Sequence, residues 1–296
     1  MPYYCDTTFI GLVSSISYLF FIVFLLLLLA GDIHPNPGPS QHLKAIHINV
    51  CSIRKKIPLI QAQLKDFDIL TISETWLSDS VCNDDILLNG YHPPVRKDKP
   101  NAPYGGVAIY VKDNLICKSP PDLDNPLLEA VWVETKLGQD TLLVGSFYRP
   151  PDSKVEYWTL VDNSIEQVGS LSHKYIVLGD FNADCSNEIP NHLQDIISKN
   201  NLYQLVTSPT RITDKRSTTI DLVLTPCRDI VSDVSVLPPV CSDHSGLVCT
   251  SIRIVGYTRL SPIRAYRREK SVCTSICLVY PIRIFAFKVI APLELR

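Results

Sequence analysis

The sequence predicts an α/β protein in which strands outnumber helices and pack as sheets flanked by helices. Three observations lead there. Short apolar runs rich in β-branched residues recur along most of the chain. Helical periodicity is confined to three short stretches. The two kinds of element do not alternate regularly, which argues against a single doubly wound sheet. In chain order, the strand run Ala45–Val50 comes first. Ile53–Leu64 then places Ile57, Ile60 and Leu64 on one helical face. The runs Ile69–Ser73, Val107–Val111, Ala130–Glu134 and Leu142–Phe147 follow with no helix between them. Tyr157–Val168 carries Leu160, Val161, Ile165 and Val168 at helical spacing. The run Tyr175–Leu178, the shorter helix Asn191–Lys199, and the runs Ile220–Leu224 and Leu247–Ile252 complete the pattern. No internal repeat is present.

The 296 residues, 46% of them hydrophobic, exclude wholesale disorder and allow one large domain or two small ones. The net charge of −2 is unevenly spread. From Arg253 to the end the balance is +7, and residues 1–252 carry −9. An acidic body does not grip nucleic acid by bulk charge. It suits carboxylates gathered around a divalent cation. The ten cysteines include no CxxC pair, which excludes a zinc ribbon or thioredoxin-like site and leaves buried thiols as the expectation.

Residues 1–38 read as a leader. Phe9 to Ala30 carries no charge, and ~20 apolar residues suffice to span a bilayer. Gly31-Asp32-Ile33-His34-Pro35-Asn36-Pro37-Gly38-Pro39 resembles the ribosome-skipping peptides of some RNA viruses and retroelements, with His34 where Glu is usual. The resemblance implies release between Gly38 and Pro39. With release, the rest of the chain is expected in the nucleus or cytoplasm; with the leader retained, it is expected at the endoplasmic reticulum membrane.

The informative polar residues lie where strand runs stop. Asn49 sits in Ile48-Asn49-Val50, Glu74 in Ser73-Glu74-Thr75-Trp76-Leu77, and Tyr148-Arg149 before Pro150. Asp180 and Asn182 sit in Gly179-Asp180-Phe181-Asn182, Asp221 follows Ile220, and Asp243-His244 follow Ser242. Strand ends are where a rigid sheet aims polar groups into a shared cleft. With Gly105-Gly106-Val107, these blocks resemble, in order, those of the endonuclease/exonuclease/phosphatase family. The similarity is greatest to the apurinic-type endonuclease domain of LINE-like non-LTR retrotransposons, and it covers roughly Leu43 to Ile252.

The resemblance implies a domain at 39–252 folded as a four-layer αββα sandwich, two mixed β-sheets flanked by helices, of the DNase I-like kind. It implies Glu74 as the principal Mg²⁺ (or Mn²⁺) ligand, helped by Asn49 and Asp243. It gives Asp180 the attacking water and Asn182 the phosphate or nucleophile. His244 would meet a non-bridging phosphate oxygen, Asp221 would fix the His244 tautomer, and Tyr148 would bond the phosphate. Whether Asp180 or His244 is the base stays open. Arg149, Arg211, Ser217 and Thr218 are read as contacts to DNA.

The expected reaction is Mg²⁺-dependent nicking of DNA that leaves a 3′-hydroxyl to prime reverse transcription. Residues 253–296 read as a basic linker or truncated tail with no room for a polymerase, so a reverse transcriptase partner would be encoded elsewhere. Two alternatives remain: a membrane-anchored phosphodiesterase or phosphatase of the same superfamily, and an inactive remnant of a retroelement.

Overall fold

The computed structural model describes residues 42–253 except 101, 138–139, 243 and 245–246. The leader, its skipping-like peptide and the tail from 254 onward lie outside the described residues. Among the described residues, no helix is long and apolar enough to cross a membrane.

The elements run β1 (His42–Asn49), α1 (Ile57–Leu64), β2 (Ile69–Ser73), β3 (Val95–Lys97), β4 (Val107–Val111), β5 (Ile116–Lys118), β6 (Ala130–Leu137) and β7 (Asp140–Tyr148). There follow α2 (Glu156–Leu171), β8 (Tyr175–Asp180), α3 (Asn191–Lys199), β9 (Tyr203–Gln204), β10 (Arg211–Ile212), β11 (Ser217–Thr218), β12 (Asp221–Thr225), β13 (Val231–Leu237) and β14 (Leu247–Arg253). One six-stranded sheet has the order β13-β14-β1-β2-β4-β3, and the other β5-β6-β7-β8-β12-β9. Each is mixed, with one parallel pair, β1 with β2 and β7 with β8. The strands β10 and β11 form a separate hairpin.

Alternation along each strand builds the layers, because successive side chains leave opposite faces. On the inner faces, Leu43, Ala45, Ile69, Val107 and Ile109 of the first sheet pack against Val131, Val133, Leu142, Val144, Ile176, Leu178 and Val223 of the second. On the outer face of the first sheet, Ile46, Ile48, Leu70 and Ile72 meet Ile60 and Leu64 of α1. On the outer face of the second, Trp132, Phe147, Val177 and Leu222 meet Trp158, Val161, Ile165 and Val168 of α2 and Leu193 and Ile196 of α3. Three apolar interfaces make four layers, as the resemblance implies.

Boundaries differ from the sequence expectation where local chemistry intervenes. The first helix begins at Ile57 rather than Ile53, because Pro58 lies in its first turn and proline fits only there. The strands β3, β5, β9, β10 and β11 are too short for periodicity to reveal them. β13, at a sheet edge, exposes Ser232 and Asp233 and leaves Val234–Leu237 half-buried. Cys51, Cys82, Cys117, Cys185, Cys227 and Cys241 are thiols, as expected, but half-buried or, for Cys82, exposed rather than buried.

Candidate active site

The inner faces of the two sheets are apolar at one end and polar at the other. Along β1, Leu43 and Ala45 give way to His47 and Asn49; along β2, Ile69 gives way to Thr71 and Ser73. In the second sheet, Leu142 and Val144 give way to Ser146 and Tyr148, Ile176 and Leu178 to Asp180, and Val223 to Asp221. Register completes the alignment. Asn49 pairs with Ser73, while Tyr148 is level with Asp180 and Asp180 with Asp221. The polar ends therefore form one patch across both sheets.

Asn49 links the sheets. Its side-chain amide donates to Glu74 Oε1 at 2.9 Å and to Asp180 Oδ2 at 2.9 Å. Its Oδ1 accepts the Cys51 N–H at 3.2 Å. Glu74 Oε2 accepts the indole N–H of Trp76 at 3.2 Å, and the buried Tyr148 phenol is hydrogen-bonded to the same carboxylate. Burial, then the negative charges of Glu74 and Asp180, push the Tyr148 phenol far up, so it stays protonated and donates.

Asp180 is fully buried. Its Oδ1 accepts the Asn182 N–H at 3.0 Å, and Asn182 Nδ2 donates to the Arg149 carbonyl at 2.9 Å. Burial and the neighbouring Asp221 carboxylate push Asp180 well above the usual carboxylate range, against the opposing pull of His244, Asn49 and Asn182. His244 is buried between the two acids, with Nδ1 3.2 Å from Asp221 Oδ2 and Nε2 3.8 Å from Asp180 Oδ2. Burial lowers its proton affinity, but the Asp221 hydrogen bond and the charges of Asp221 and Asp180 outweigh that and raise it. Behind Asp221 lies His47, with Nε2 3.7 Å from Asp221 Oδ1 and Nδ1 3.0 Å from Thr71 Oγ1.

The backbone at this end is unusual. Among the described residues, six non-glycine positions have positive φ, and Cys51, Ser52, Glu74, Trp76 and Asn182 of these belong to the site. Such conformations cost roughly 1–3 kcal/mol each and collect where function needs them. At Glu74 (φ 53°) the turn redirects the side chain from the strand into the cleft.

A model of the endonuclease/exonuclease/phosphatase family matches residues 46–244, from the strand that carries Asn49 to His244. The chain belongs to this family. Among solved structures, the endonuclease domain of TRAS1, a telomere-specific non-LTR retrotransposon, is 18% identical, over 72% of this chain and 98% of that one, with a TM-score of 0.59. The AP endonuclease LMAP from Leishmania major is 13% identical over 76% and 90%, at 0.60. The 3′-5′ exonuclease NExo from Neisseria meningitidis is 18% identical over 72% and 100%, at 0.54. At these identities the likeness is one of fold. No curated protein sequence matches the chain.

The polar end opens into a cavity of about 410 Å³. Glu74, Asn182 and His244 line it together with Cys51, Asp184, Arg211, Arg216 and Thr218. Arg211 and Thr218, read from the sequence as contacts to DNA, are thus part of the cavity wall. Ser217 is exposed and outside the lining. Asp243 lies outside the described residues.

One expectation is corrected. Arg149 is not directed at the cavity: its guanidinium donates to the carbonyls of Phe181 at 3.3 Å and Ser153 at 3.2 Å and stacks 4.6 Å from the Trp158 ring. It braces the loop after Asp180. Asn49 stands between the two carboxylates: its amide nitrogen serves both and its oxygen accepts the Cys51 N–H. The sequence reading gives no role to His47, Trp76, Asp184 or Arg216. For His47 a signal exists, since it stands two residues before Asn49 and therefore on the same strand face.

The donor set suits a divalent cation of the hard kind. Asp180, Asp221 and His244 gather their ligand atoms within 4.8 Å, yet the imidazole is already held between the two acids. Glu74 is only half-buried and faces the cavity, and its neighbours offer oxygen rather than thiolate clusters or several imidazoles. Mg²⁺ and Mn²⁺ favour such sites and retain several waters. Glu74 is thus the residue that would hold the ion, with Asp180 nearest across Asn49.

Proposed function

We propose that this chain is a divalent-metal-dependent DNA endonuclease of the non-LTR retrotransposon type, hydrolysing one strand to leave a 3′-hydroxyl and a 5′-phosphate. The observation that carries the reading is the convergence of Glu74, Asn49, Asp180, Asp221 and His244 from both sheets beside a cavity that Glu74 and His244 line, with arginines at its wall. The ordered motif blocks and the likeness in fold to the TRAS1 endonuclease domain support the substrate.

In this reading, Asp180 takes a proton from water as the water oxygen bonds phosphorus. Its raised proton affinity suits a base working near neutral pH. His244, anchored through Nδ1 by Asp221, offers Nε2–H to a non-bridging oxygen. Asn49 keeps Glu74 and Asp180 at a fixed separation, and Asn182 aims Asp180. The bond from phosphorus to O3′ breaks, and the leaving oxygen takes a proton from solvent. Bound at Glu74, Mg²⁺ or Mn²⁺ supplies charge neutralisation for the phosphate oxygens. Arg211 and Arg216 hold flanking phosphates.

The 3′-hydroxyl would prime reverse transcription. Release between Gly38 and Pro39 would free the domain from its leader to reach nuclear DNA; translation in vitro should yield a fragment starting at Pro39, and full-length product alone overturns that part.

The activity is tested with supercoiled plasmid and Mg²⁺. Relaxed circles whose nicks a DNA polymerase can extend are expected. Chelation should stop the reaction, and Glu74→Ala should slow it by roughly 10²-fold or more. Phosphate release from an inositol phosphate or lipid headgroup, with the plasmid untouched, overturns the reading.

A further inference from the structure

One buried carboxylate that does not line the cavity is bonded to the backbone that presents Glu74. Glu129, 8% exposed, directly precedes β6 and uses both of its oxygens. Oε2 accepts the Gly106 N–H at 2.8 Å, and Oε1 pairs with Lys99 Nζ at 2.8 Å. Gly105 and Gly106 have φ of +86° and +83°, and a Cβ on Gly105 would collide with Glu129 Oε2. The carboxylate fills the space that the absent side chain leaves.

The carbonyls of these two glycines accept the N–H of Trp76 at 2.9 Å and of Thr75 at 3.2 Å. Those bonds frame the left-handed turn at Glu74 and Trp76. A second tie runs through the Glu129 backbone. Its carbonyl accepts the Tyr148 N–H at 2.9 Å. Its N–H donates to Tyr157 Oη at 2.8 Å, and that hydroxyl donates to the Tyr148 carbonyl at 3.1 Å. Tyr148 is in turn bonded to the Glu74 carboxylate. One residue thus braces Glu74 from two directions.

We propose that Glu129 is a positioning residue, which locks the Gly105–Gly106 turn so that Glu74 is presented to a divalent cation. The proposal rests on Glu74 being the ion's carboxylate. Strained turns persist only where their surroundings over-determine them. Residues that orient a metal ligand typically change ion affinity by about 10–100-fold when altered.

The probe is Mn²⁺, with free ion counted by electron paramagnetic resonance on the full chain, so that no turnover is needed. Glu129→Gln keeps the reach and an acceptor oxygen for the Gly106 N–H; it should bind Mn²⁺ within about twofold of the parent. Glu129→Asp keeps the charge but is one methylene shorter, and it should bind roughly tenfold more weakly, with nicking recovering as Mg²⁺ is raised. Gly105→Ala drives a Cβ into the place of Oε2 and attacks the same bond from the other side. It should weaken binding to a similar degree and decides the matter if the aspartate variant does not fold. Parent-like binding by Glu129→Asp or Gly105→Ala overturns the proposal, provided Glu74→Ala abolishes binding. Unchanged binding in Glu74→Ala instead overturns the assignment of the ion to Glu74, and the proposal with it.

Discussion

Asn49 shows how much one amide can decide. Two N–H groups reach carboxylates carried by different sheets, so the residue offsets the repulsion between Glu74 and Asp180 and sets their spacing. Asn49→Asp, nearly isosteric, puts a third acid between them. Plasmid nicking should fall by roughly 10²-fold or more, and the added buried charge should lower the melting temperature as well. Asp221→Ala and His244→Ala should likewise slow nicking by orders of magnitude with the fold intact; near-normal rates in either would refute the assigned role. At this scale the sequence was informative about residue identity, because Asn49, Glu74, Asp180, Asp221 and His244 all stand at the ends of apolar runs. It was silent about bonding. Nothing in Tyr148-Arg149-Pro150 shows that the guanidinium turns inward onto Trp158 and the Phe181 carbonyl. Arg149→Met should therefore lower the melting temperature by several degrees while leaving DNA affinity and its salt dependence unchanged.

At the scale of elements, the hairpin of β10 and β11 contributes to the cavity wall and belongs to neither six-stranded sheet. Thr210 ties it to the scaffold: its Oγ1 accepts the N–H groups of Ile220 and Asp221, each at 3.1 Å. Asp184 ties the other flank, where Oδ1 accepts the Thr219 N–H at 3.1 Å. The hairpin thus carries Arg211 and Arg216 on a base fixed to the start of β12. If both meet phosphates, replacing them with Gln should cut the dependence of log K on log salt by roughly two. Binding at several salt concentrations measures it, and an unchanged slope removes them from the interface. Long central strands were legible because burial on both faces enforces β-branched runs; two-residue strands were not, since their pairing is imposed by neighbours.

For the whole molecule, the sandwich trades core for chemistry along its own length. The inner faces supply apolar packing at one end and buried titratable groups at the other, and the latter tie stability to pH. Burial holds His47 down at about 4, against an ordinary 6.5. Above pH 6.5 both folded and unfolded chains leave it neutral. Below that, only the unfolded chain takes up the proton, so His47 destabilises the fold as pH falls from 6.5 toward 4. His47→Gln lacks this proton uptake. The stability advantage of the parent over that variant should shrink by about 1–2 kcal/mol between pH 7 and pH 5, read by denaturant unfolding at each pH. A constant gap would show that His47 is not held neutral. The four layers followed from the family resemblance, whereas the second row of groups behind Asp221 needed the register of β1 against β2 to become visible.

The pairing of His42 with Arg253 brings the two ends of the described domain side by side. Asn49 stands seven residues further along the same strand, about 23 Å away at ~3.3 Å per residue. Both ends of the described domain therefore share one rim, a strand's length away from the polar end of the sheets.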